Sequence, residues 1–300
     1  MASGPWRRRV GVAWWAPLVA VVAAVAGVPA IGQSTAAAPR RIVSLVPALT
    51  EMLFAIGAGP QVVAVSSFDT HPPAVTRLPK VGALLDPDVE RVLSLSPDLV
   101  AVYGSQVDLK RQLARASIPV FDYRHAGLAD VFTTLRALGA RTGHAARADQ
   151  VASGLEARID AVRRRVAPRP RPRVLLVFGR ETGALRNVYA SGGRGFLHDM
   201  LTAAGGVNVF ADVRQESVQA TTEVMLTRAP DVILELRERA DWTAADTAAA
   251  KAAWARLASV PAVQAGRVLV LAGEGLVVPG PRVADAVERL ADALHPGAAP

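Results

Sequence analysis

The sequence predicts a mixed α/β protein made of two similar lobes that are joined by a single long α-helix. Three observations support this prediction. Short apolar strands alternate with helical segments through most of the 300 residues, one short pattern occurs twice, and a proline-free helical stretch lies between the two copies. Alternating strands and helices are typical of mostly parallel sheets covered by helices. Each lobe is therefore expected to be Rossmann-like.

The repeated pattern is a glutamate followed by leucine three residues later, proline seven later, aspartate eight later and then an aliphatic pair. It begins at Glu90 and again at Glu223, which lie 133 residues apart. A methionine–leucine pair followed by glycines also occurs twice, at residues 52–53 and 200–201. A repeat with so long a period indicates two related domains rather than a solenoid.

Residues 1–36 have the order of a secretory signal peptide and a disordered lead. Three arginines, 7–9, precede an apolar run that reaches Val28 and ends in small residues. A retained membrane anchor is the alternative, because about 19 apolar residues span a bilayer. The chain has no cysteine, so we expect an exported, soluble periplasmic protein without a lipid anchor and without disulfides.

The net charge of +8 falls to +5 when the three arginines of the signal segment are removed. Much of the remaining positive charge lies in an arginine-rich segment, residues 163–173. No interleaved aromatic residues or nucleic-acid module accompany it, and export argues against such a partner. We interpret the segment as a solvated face and predict no nucleic-acid binding.

The predicted N-terminal lobe covers residues 37–144. Its strands are short apolar runs, and its first helix begins at Pro47, a residue favoured in the first turn, and stops at Gly57. We predict strands at 41–45, 62–65, 99–102 and 119–121, and helices from 47 and at 90–95, 109–116 and 128–141.

The predicted linker helix covers residues 145–167. Val151, Leu155, Ile159 and Val162 recur at helical spacing, and prolines from Pro168 onward end the helix. About 21 residues at about 1.5 Å each give a helix of roughly 31 Å. Since a long helix bends less readily than extended strands, we expect modest lobe motion.

The predicted C-terminal lobe covers residues 168–300. We predict strands at 174–178, 232–234 and 268–271, and helices at 196–204, around 223–227, up to about 257 and at 283–294.

Several motifs in order resemble the periplasmic substrate-binding proteins of ABC importers for cobalamin and iron chelates. These are residues 41–47 with Thr50-Glu51, Ser66-Ser67-Phe68 with Pro72-Pro73, and residues 78–82. The resemblance covers residues 40–295. It implies a monomer without enzymatic activity or cofactor, which captures a metal chelate between its lobes. It also implies delivery to an ABC permease dimer in the inner membrane.

The resemblance further implies that one surface glutamate on each lobe pairs with arginines of the permease. Glu90 and Glu223 are the matching positions. One carboxylate on each lobe gives a two-point electrostatic dock. The alternative is that each glutamate complements a helix dipole, a contribution of about 0.3–1 kcal/mol.

Three chelates remain open from the sequence. Cobalamin-binding relatives surround the corrin with aromatic residues, and Phe68, Tyr103 and Phe178 fall at such positions, whereas Leu84 and Ser217 replace expected aromatics. His71 and Tyr103 are predicted candidates for binding haem iron. Arg180 and Arg194, with Arg186 nearby, are predicted contacts to an anionic ferric siderophore.

Two other functional classes are alternatives. An exported hydrolase-like enzyme lacks a Gly-x-Ser-x-Gly elbow, and the adjacent His198 and Asp199 diverge by about 100° on a helix. A binding-protein-like sensor without transport needs the same cleft and stays open.

The glycine-rich segment 191–195 is a candidate anion cradle at a helix start. No two histidines have the spacing of a local metal site.

Overall fold

The computed structural model describes residues 37–124 and 126–297, so the predicted signal peptide lies outside the described residues. Within these ranges no helix is both long enough and apolar enough to cross a membrane. The described chain contains two separate sheets, and each sheet with its helices forms one lobe. The predicted α/β fold class is therefore confirmed.

The N-terminal lobe is built on a four-stranded parallel sheet in the order β2-β1-β3-β4. All three residues of β1 are buried, as expected for a central strand covered by helices on both faces. Its strands are β1 (Ile42–Ser44), β2 (Val62–Val65), β3 (Leu99–Tyr103) and β4 (Val120–Tyr123), and its helices are α1 (Pro47–Ala55), α2 (Val89–Ser94), α3 (Val107–Arg115) and α4 (Ala129–Thr142).

The C-terminal lobe is built on a six-stranded mixed sheet in the order β10-β9-β5-β6-β8, with β7 paired to β5. Strands β5, β9 and β10 are parallel, whereas β6 is antiparallel to both β5 and β8. Its strands are β5 (Arg173–Gly179), β6 (Val188–Ser191), β7 (Val207–Asn208), β8 (Ser217–Ala220), β9 (Val232–Arg237) and β10 (Val268–Ala272). Its helices are α6 (Phe196–Ala203), α7 (Thr222–Arg228), α8 (Ala244–Trp254), α9 (Pro261–Gln264) and α10 (Val283–Leu294).

The short strands β6, β7 and β8 are absent from the predicted elements. They are two to four residues long and each contains polar or exposed residues, so none forms a continuous apolar run. Their pairing extends the sheet beyond β5 and makes the second lobe larger than the first. The prediction of a mostly parallel sheet holds for the first lobe and is incomplete for the second.

The two copies of the repeated pattern have the same local structure. Asp88 and Thr221 each accept a hydrogen bond from a first-turn amide and so cap α2 and α7. Six residues after each glutamate, Ser96 (φ 45°) and Ala229 (φ 43°) adopt left-handed backbone geometry just after the helix end. This geometry is typical of helix C-termini.

The aspartate of each copy ties its helix to the first strand of its lobe. Asp98 accepts hydrogen bonds from the amides of Arg40 (2.7 Å) and Arg41 (2.8 Å), and Asp231 accepts one from the amide of Arg173 (2.9 Å). The guanidinium of Arg41 donates to a carbonyl at the C-terminal end of α2, and that of Arg173 donates to a carbonyl at the C-terminal end of α7. The proline–aspartate part of the repeat thus has an internal structural role.

The predicted long helix is α5, Ala145–Val166, which lies along the chain between the two sheets. One face of α5 is buried and belongs to the same hydrophobic cluster as Ile42 of β1 and Val174 of β5. Its exposed face carries ion pairs, including Arg136 of α4 with Glu156 and Arg158 with Glu288 of α10. The buried residues of α5 are Ala148, Ala152, Leu155, Ile159, Val162 and Val166.

The arginine-rich segment is exposed at five of its six arginines, and several of them also form contacts with neighbouring groups. Arg163 pairs with Asp160 at 2.8 Å and Arg165 with Asp292 at 2.8 Å. Arg171 donates to a backbone carbonyl, as Arg173 does. Four of these arginines therefore make contacts within the fold, while the segment as a whole agrees with the predicted solvated face.

Candidate functional site

The carboxyl edges of the two sheets face each other. Helix α1 begins directly after β1, and α10 begins after the loop that follows β10, so both helices start at the carboxyl ends of strands. Glu51, in the second turn of α1, and Arg282, the residue just before α10, form an ion pair in which Arg282 Nη2 lies 2.6 Å from Glu51 Oε1 and Arg282 Nε lies 2.9 Å from Oε2. Open α/β sheets bind ligands at this edge. The gap between the edges is the candidate site, here called the cleft.

A second contact joins the lobes beside α5. Asp199, in the first turn of α6, accepts a hydrogen bond from the amide of Leu128 at the start of α4 (2.9 Å). The preceding residue, His198, instead lies 3.4 Å from the side-chain amide of Asn208. His198 and Asp199 thus have separate partners, which agrees with the prediction that they are not a catalytic dyad.

The loop after β2 presents Phe68 at the cleft edge. Asp69 is buried, accepts a hydrogen bond from the Ser66 hydroxyl, and has its backbone carbonyl held by Lys80 Nζ at 2.7 Å. Burial raises the pKa of Asp69 above its ordinary value. These buried contacts hold the loop in place, whereas Phe68 is 69% exposed. His71, further along this loop, is half-buried.

Tyr103 and Tyr123 form an aromatic pair at the carboxyl ends of β3 and β4. Their ring centroids are 5.8 Å apart with an edge-to-face angle of 70°, a favoured geometry for aromatic pairs. Burial and, second, the carboxylate of Glu216 raise the pKa of Tyr103. Since Glu216 immediately precedes β8, this effect places the second lobe close to Tyr103 across the cleft.

Phe178 and Tyr189 form the corresponding aromatic pair in the second lobe. Their centroids are 6.4 Å apart with an interplanar angle of 36°. Tyr189 lies on β6 opposite Gly179, the last residue of β5, and is 43% exposed. Tyr189 is not among the site residues predicted from the sequence. The available signal was the position of this exposed tyrosine between the buried Val188 and Ala190.

The guanidinium of Arg180 is directed into the second lobe rather than toward the cleft. Its side chain is 1% exposed and pairs with Glu235, whose side chain is fully buried, at 3.1 Å. The other guanidinium nitrogens donate to the carbonyls of Glu181, Ala184 and Ala250. Because its hydrogen-bonding capacity is used within the fold, the structure does not support the predicted ligand role for Arg180.

Arg194, unlike the buried and paired Arg180, lies at the surface. It is exposed, and among the described residues its side chain has no ion pair or hydrogen bond. The amides of Gly192 and Gly193 donate to backbone carbonyls, so they do not form the anion cradle that the sequence suggested. These glycines are needed because a Cβ would lie 2.1 Å and 2.3 Å from backbone oxygens. Arg194 therefore stays the predicted cation of this loop.

Glu90 and Glu223 lie on the rim of the cleft. In the first lobe, backbone hydrogen bonds connect the end of β2 through Val81 to Asp88 at the start of α2. In the second, α7 follows β8, and β8 runs parallel to β5 because both are antiparallel to β6. Both helices therefore begin at carboxyl edges. Both glutamates are exposed, and neither carboxylate has an ion pair with any described residue.

Comparison with known proteins supports this architecture. A periplasmic binding protein family model matches residues 42–274. An uncharacterized ABC transporter substrate-binding lipoprotein, YvrC of Bacillus subtilis, is 29% identical over 86% of this chain and 81% of its own. The vitamin B12-binding protein of Yersinia pestis is 31% identical over 66% of this chain and 70% of its own. The apo periplasmic heme-binding protein RhuT from Roseiflexus sp. RS-1 superposes with a TM-score of 0.71 at 27% identity, covering 87% of this chain and 99% of RhuT.

The chain belongs to the periplasmic binding protein family, as the order of motifs predicts. This is a family of binding proteins rather than of enzymes. One similar protein is named a lipoprotein, whereas this chain has no cysteine to carry a lipid. The absence of a lipid anchor therefore stays a prediction, as do the domain boundaries and the ligand-binding and docking residues.

We predict that Arg180 and Arg194 differ sharply in their effect on stability. Arg180→Ala leaves the buried Glu235 without one of its cations and should lower the free energy of unfolding by about 3 kcal/mol. Arg194→Ala removes an exposed, unpaired side chain and should change it by less than about 0.5 kcal/mol. Urea denaturation measures both values. Equal small effects would contradict the structural role of Arg180.

Proposed function

We propose that the protein is the periplasmic substrate-binding component of an ABC importer and that it captures a metal chelate in the cleft. In this proposal it is exported, acts as a monomer, performs no chemistry on its ligand and delivers it to a permease dimer in the inner membrane. Support comes from the family, from the relatives named above and from the facing carboxyl edges of the two sheets.

The observation that carries the proposal is the placement of an aromatic pair at each facing edge. Tyr103, which packs edge-to-face on the buried Tyr123, lies at the edge of the first lobe, and Phe178 and Tyr189 lie at the edge of the second. Aromatic side chains contribute large apolar contact areas with few rotatable bonds. Such walls suit a flat macrocycle whose metal is already held by the ring. Within residues 37–124 and 126–297, no group of three or more His, Cys, Asp or Glu side chains is placed to hold a metal ion.

The three chelates of the sequence prediction, corrinoid, haem and ferric siderophore, all stay within this proposal. Burial and the nearby Glu216 carboxylate raise the pKa of Tyr103, but a ferric ion bound to its oxygen would favour the phenolate, so Tyr103 stays a candidate haem ligand. Phe68, with most of its ring exposed, adds an apolar contact from the first lobe. Arg194 is the cation available for an anionic group on the ligand, such as those of a ferric siderophore. His71 stays a candidate metal ligand in the same loop as Phe68.

Delivery is proposed to use the two rim acids. Glu90 and Glu223 are exposed and have no internal ion pair among the described residues. The proline and aspartate of the repeated pattern have a structural role, whereas an exposed acid is not needed for the duplicated fold. Two carboxylates at fixed separation suit two arginine-bearing surfaces of a permease dimer, because charge complementarity governs encounter and orientation.

We predict that one chelate binds saturably. Mature protein is titrated with cyanocobalamin, haemin and a panel of ferric siderophores, with absorbance and melting temperature recorded. A chelate present at 100 times its Kd should stabilise the native state by about 2.7 kcal/mol through mass action. Tyr189→Ala should weaken binding of that chelate about tenfold, whereas Val120→Ala, on the opposite edge of the first sheet, should not. If no chelate of the panel changes the absorbance or the melting temperature, the chelate assignment is contradicted.

We also predict that charge reversal separates binding from transport. Glu90→Lys/Glu223→Lys should leave the ligand Kd within about twofold and should lower cellular uptake of the bound chelate by at least about tenfold, because like charges then oppose docking. Asp149→Lys/Asp292→Lys makes the same total charge change on exposed residues of α5 and α10 and serves as the control. Unimpaired uptake in the glutamate variant would refute the docking assignment and favour a sensor without transport.

A further inference from the structure

The repeated pattern keeps a second exposed residue beside each rim acid. Leu93 of α2 and Leu226 of α7 lie three residues after Glu90 and Glu223, and they are 36% and 41% exposed. Residues three apart on a helix lie on the same face. Each lobe therefore presents an acid and a leucine together, a unit we call the acid–leucine patch.

The leucines are not required by the core of either lobe. The residue just before each of them, Val92 in α2 and Met225 in α7, is buried and packs into the lobe. The proline, aspartate and aliphatic pair of the repeat connect each helix to its sheet, as described above. Leucine and glutamate are thus the repeated residues that point outward. An exposed leucine retains apolar surface in water, which is unfavourable unless a partner covers it.

We propose that Leu93 and Leu226 are the apolar contacts of the docking surface, and that the two acid–leucine patches together bind a partner that presents a cation beside an apolar side chain at two equivalent positions. This inference rests on the proposed function, because it assigns further residues to the same surface. The acids steer and orient the partner over long range, whereas the leucines act at contact and slow its release.

The occupant follows from the duplication and the charge. Two equivalent patches on one chain match a partner with two equivalent surfaces, such as a symmetric dimer. A second copy of this chain is a poorer match, because two acid patches brought together repel each other. The partner is therefore a two-fold symmetric protein with basic and apolar residues at each contact, which is the chemistry expected of the permease dimer.

The test compares three variants with the natural chain: Leu93→Asn/Leu226→Asn, Glu90→Ala/Glu223→Ala, and Val120→Asn as the control. Val120 is 37% exposed, close to the value for Leu93, and lies at the amino end of β4, away from the cleft rim. Labelled mature protein is bound to right-side-out membrane vesicles of the organism that makes it. Association and dissociation rates are measured at several salt concentrations, and melting temperatures confirm folding.

We expect the leucine variant to raise Kd about tenfold or more through faster dissociation, with the salt dependence unchanged, since burial of an exposed leucine is an apolar effect. The glutamate variant should slow association and reduce the salt dependence, because salt screens charge attraction. The Val120 variant should bind like the natural chain.

Each other outcome decides the question. If the glutamate variant binds weakly and the leucine variant binds normally, the acid dock stands and this inference fails. If neither variant is impaired, the proposed docking function fails with it. If the leucine variant instead loses self-association in light scattering, the patches bind a second copy of the chain and the assigned partner is wrong.

Discussion

The packing of α5 against both lobes is the constraint on which the rest of the structure depends. Its buried residues share the largest hydrophobic cluster with the central strands of the two sheets, whereas one smaller cluster in each lobe packs without the helix. The ion pairs on its exposed face are numerous, but exposed pairs contribute about 0–1 kcal/mol each. Burying one leucine or isoleucine contributes about 1.5–3 kcal/mol. Apolar packing, rather than charge pairing, therefore determines how the lobes are held.

A shared core has a direct consequence for the cleft. Because the helix holds the two sheets, their carboxyl edges face each other before any ligand arrives, and the Glu51–Arg282 pair and the Asp199–Leu128 hydrogen bond join the lobes next to the gap. A preformed site loses less conformational entropy when it binds. We expect the same packing to keep the two acid–leucine patches at a constant separation. The proposed ligand capture and the proposed docking thus depend on one mechanical property of the fold.

Local patterns predicted much of this fold. Apolar runs located the parallel strands, the spacing of Val151, Leu155, Ile159 and Val162 located α5, and the repeat located two equivalent helix ends with the same left-handed cap. The short strands β6 and β8 were missed because four residues that include polar or exposed side chains show no distinctive period. β6 is held by pairing with β5, and β8 by pairing with β6, which are tertiary effects that local sequence does not record.

The site was less predictable because its chemistry depends on distant partners. Arg180 follows a strand end, where ligands bind, but a glutamate 55 residues away binds its guanidinium. Glu51 and Arg282 are 231 residues apart, and the effect of Glu216 on Tyr103 also joins different lobes. No spacing rule connects such pairs. By contrast, Glu90 and Glu223 were identifiable, because duplication placed the same exposed residue in two equivalent settings.

The most direct test of this account measures the distance between the lobes. The chain has no cysteine, so Ser94→Cys/Thr227→Cys introduces two unique spin-label sites at equivalent positions on α2 and α7. Pulsed electron paramagnetic resonance would then give the distance distribution before and after addition of the chelate that binds. A helix packed into a shared core predicts one narrow population that shifts by less than about 2 Å, as in other preorganised sites. Two separated populations, or a shift of about 10 Å on binding, would contradict it.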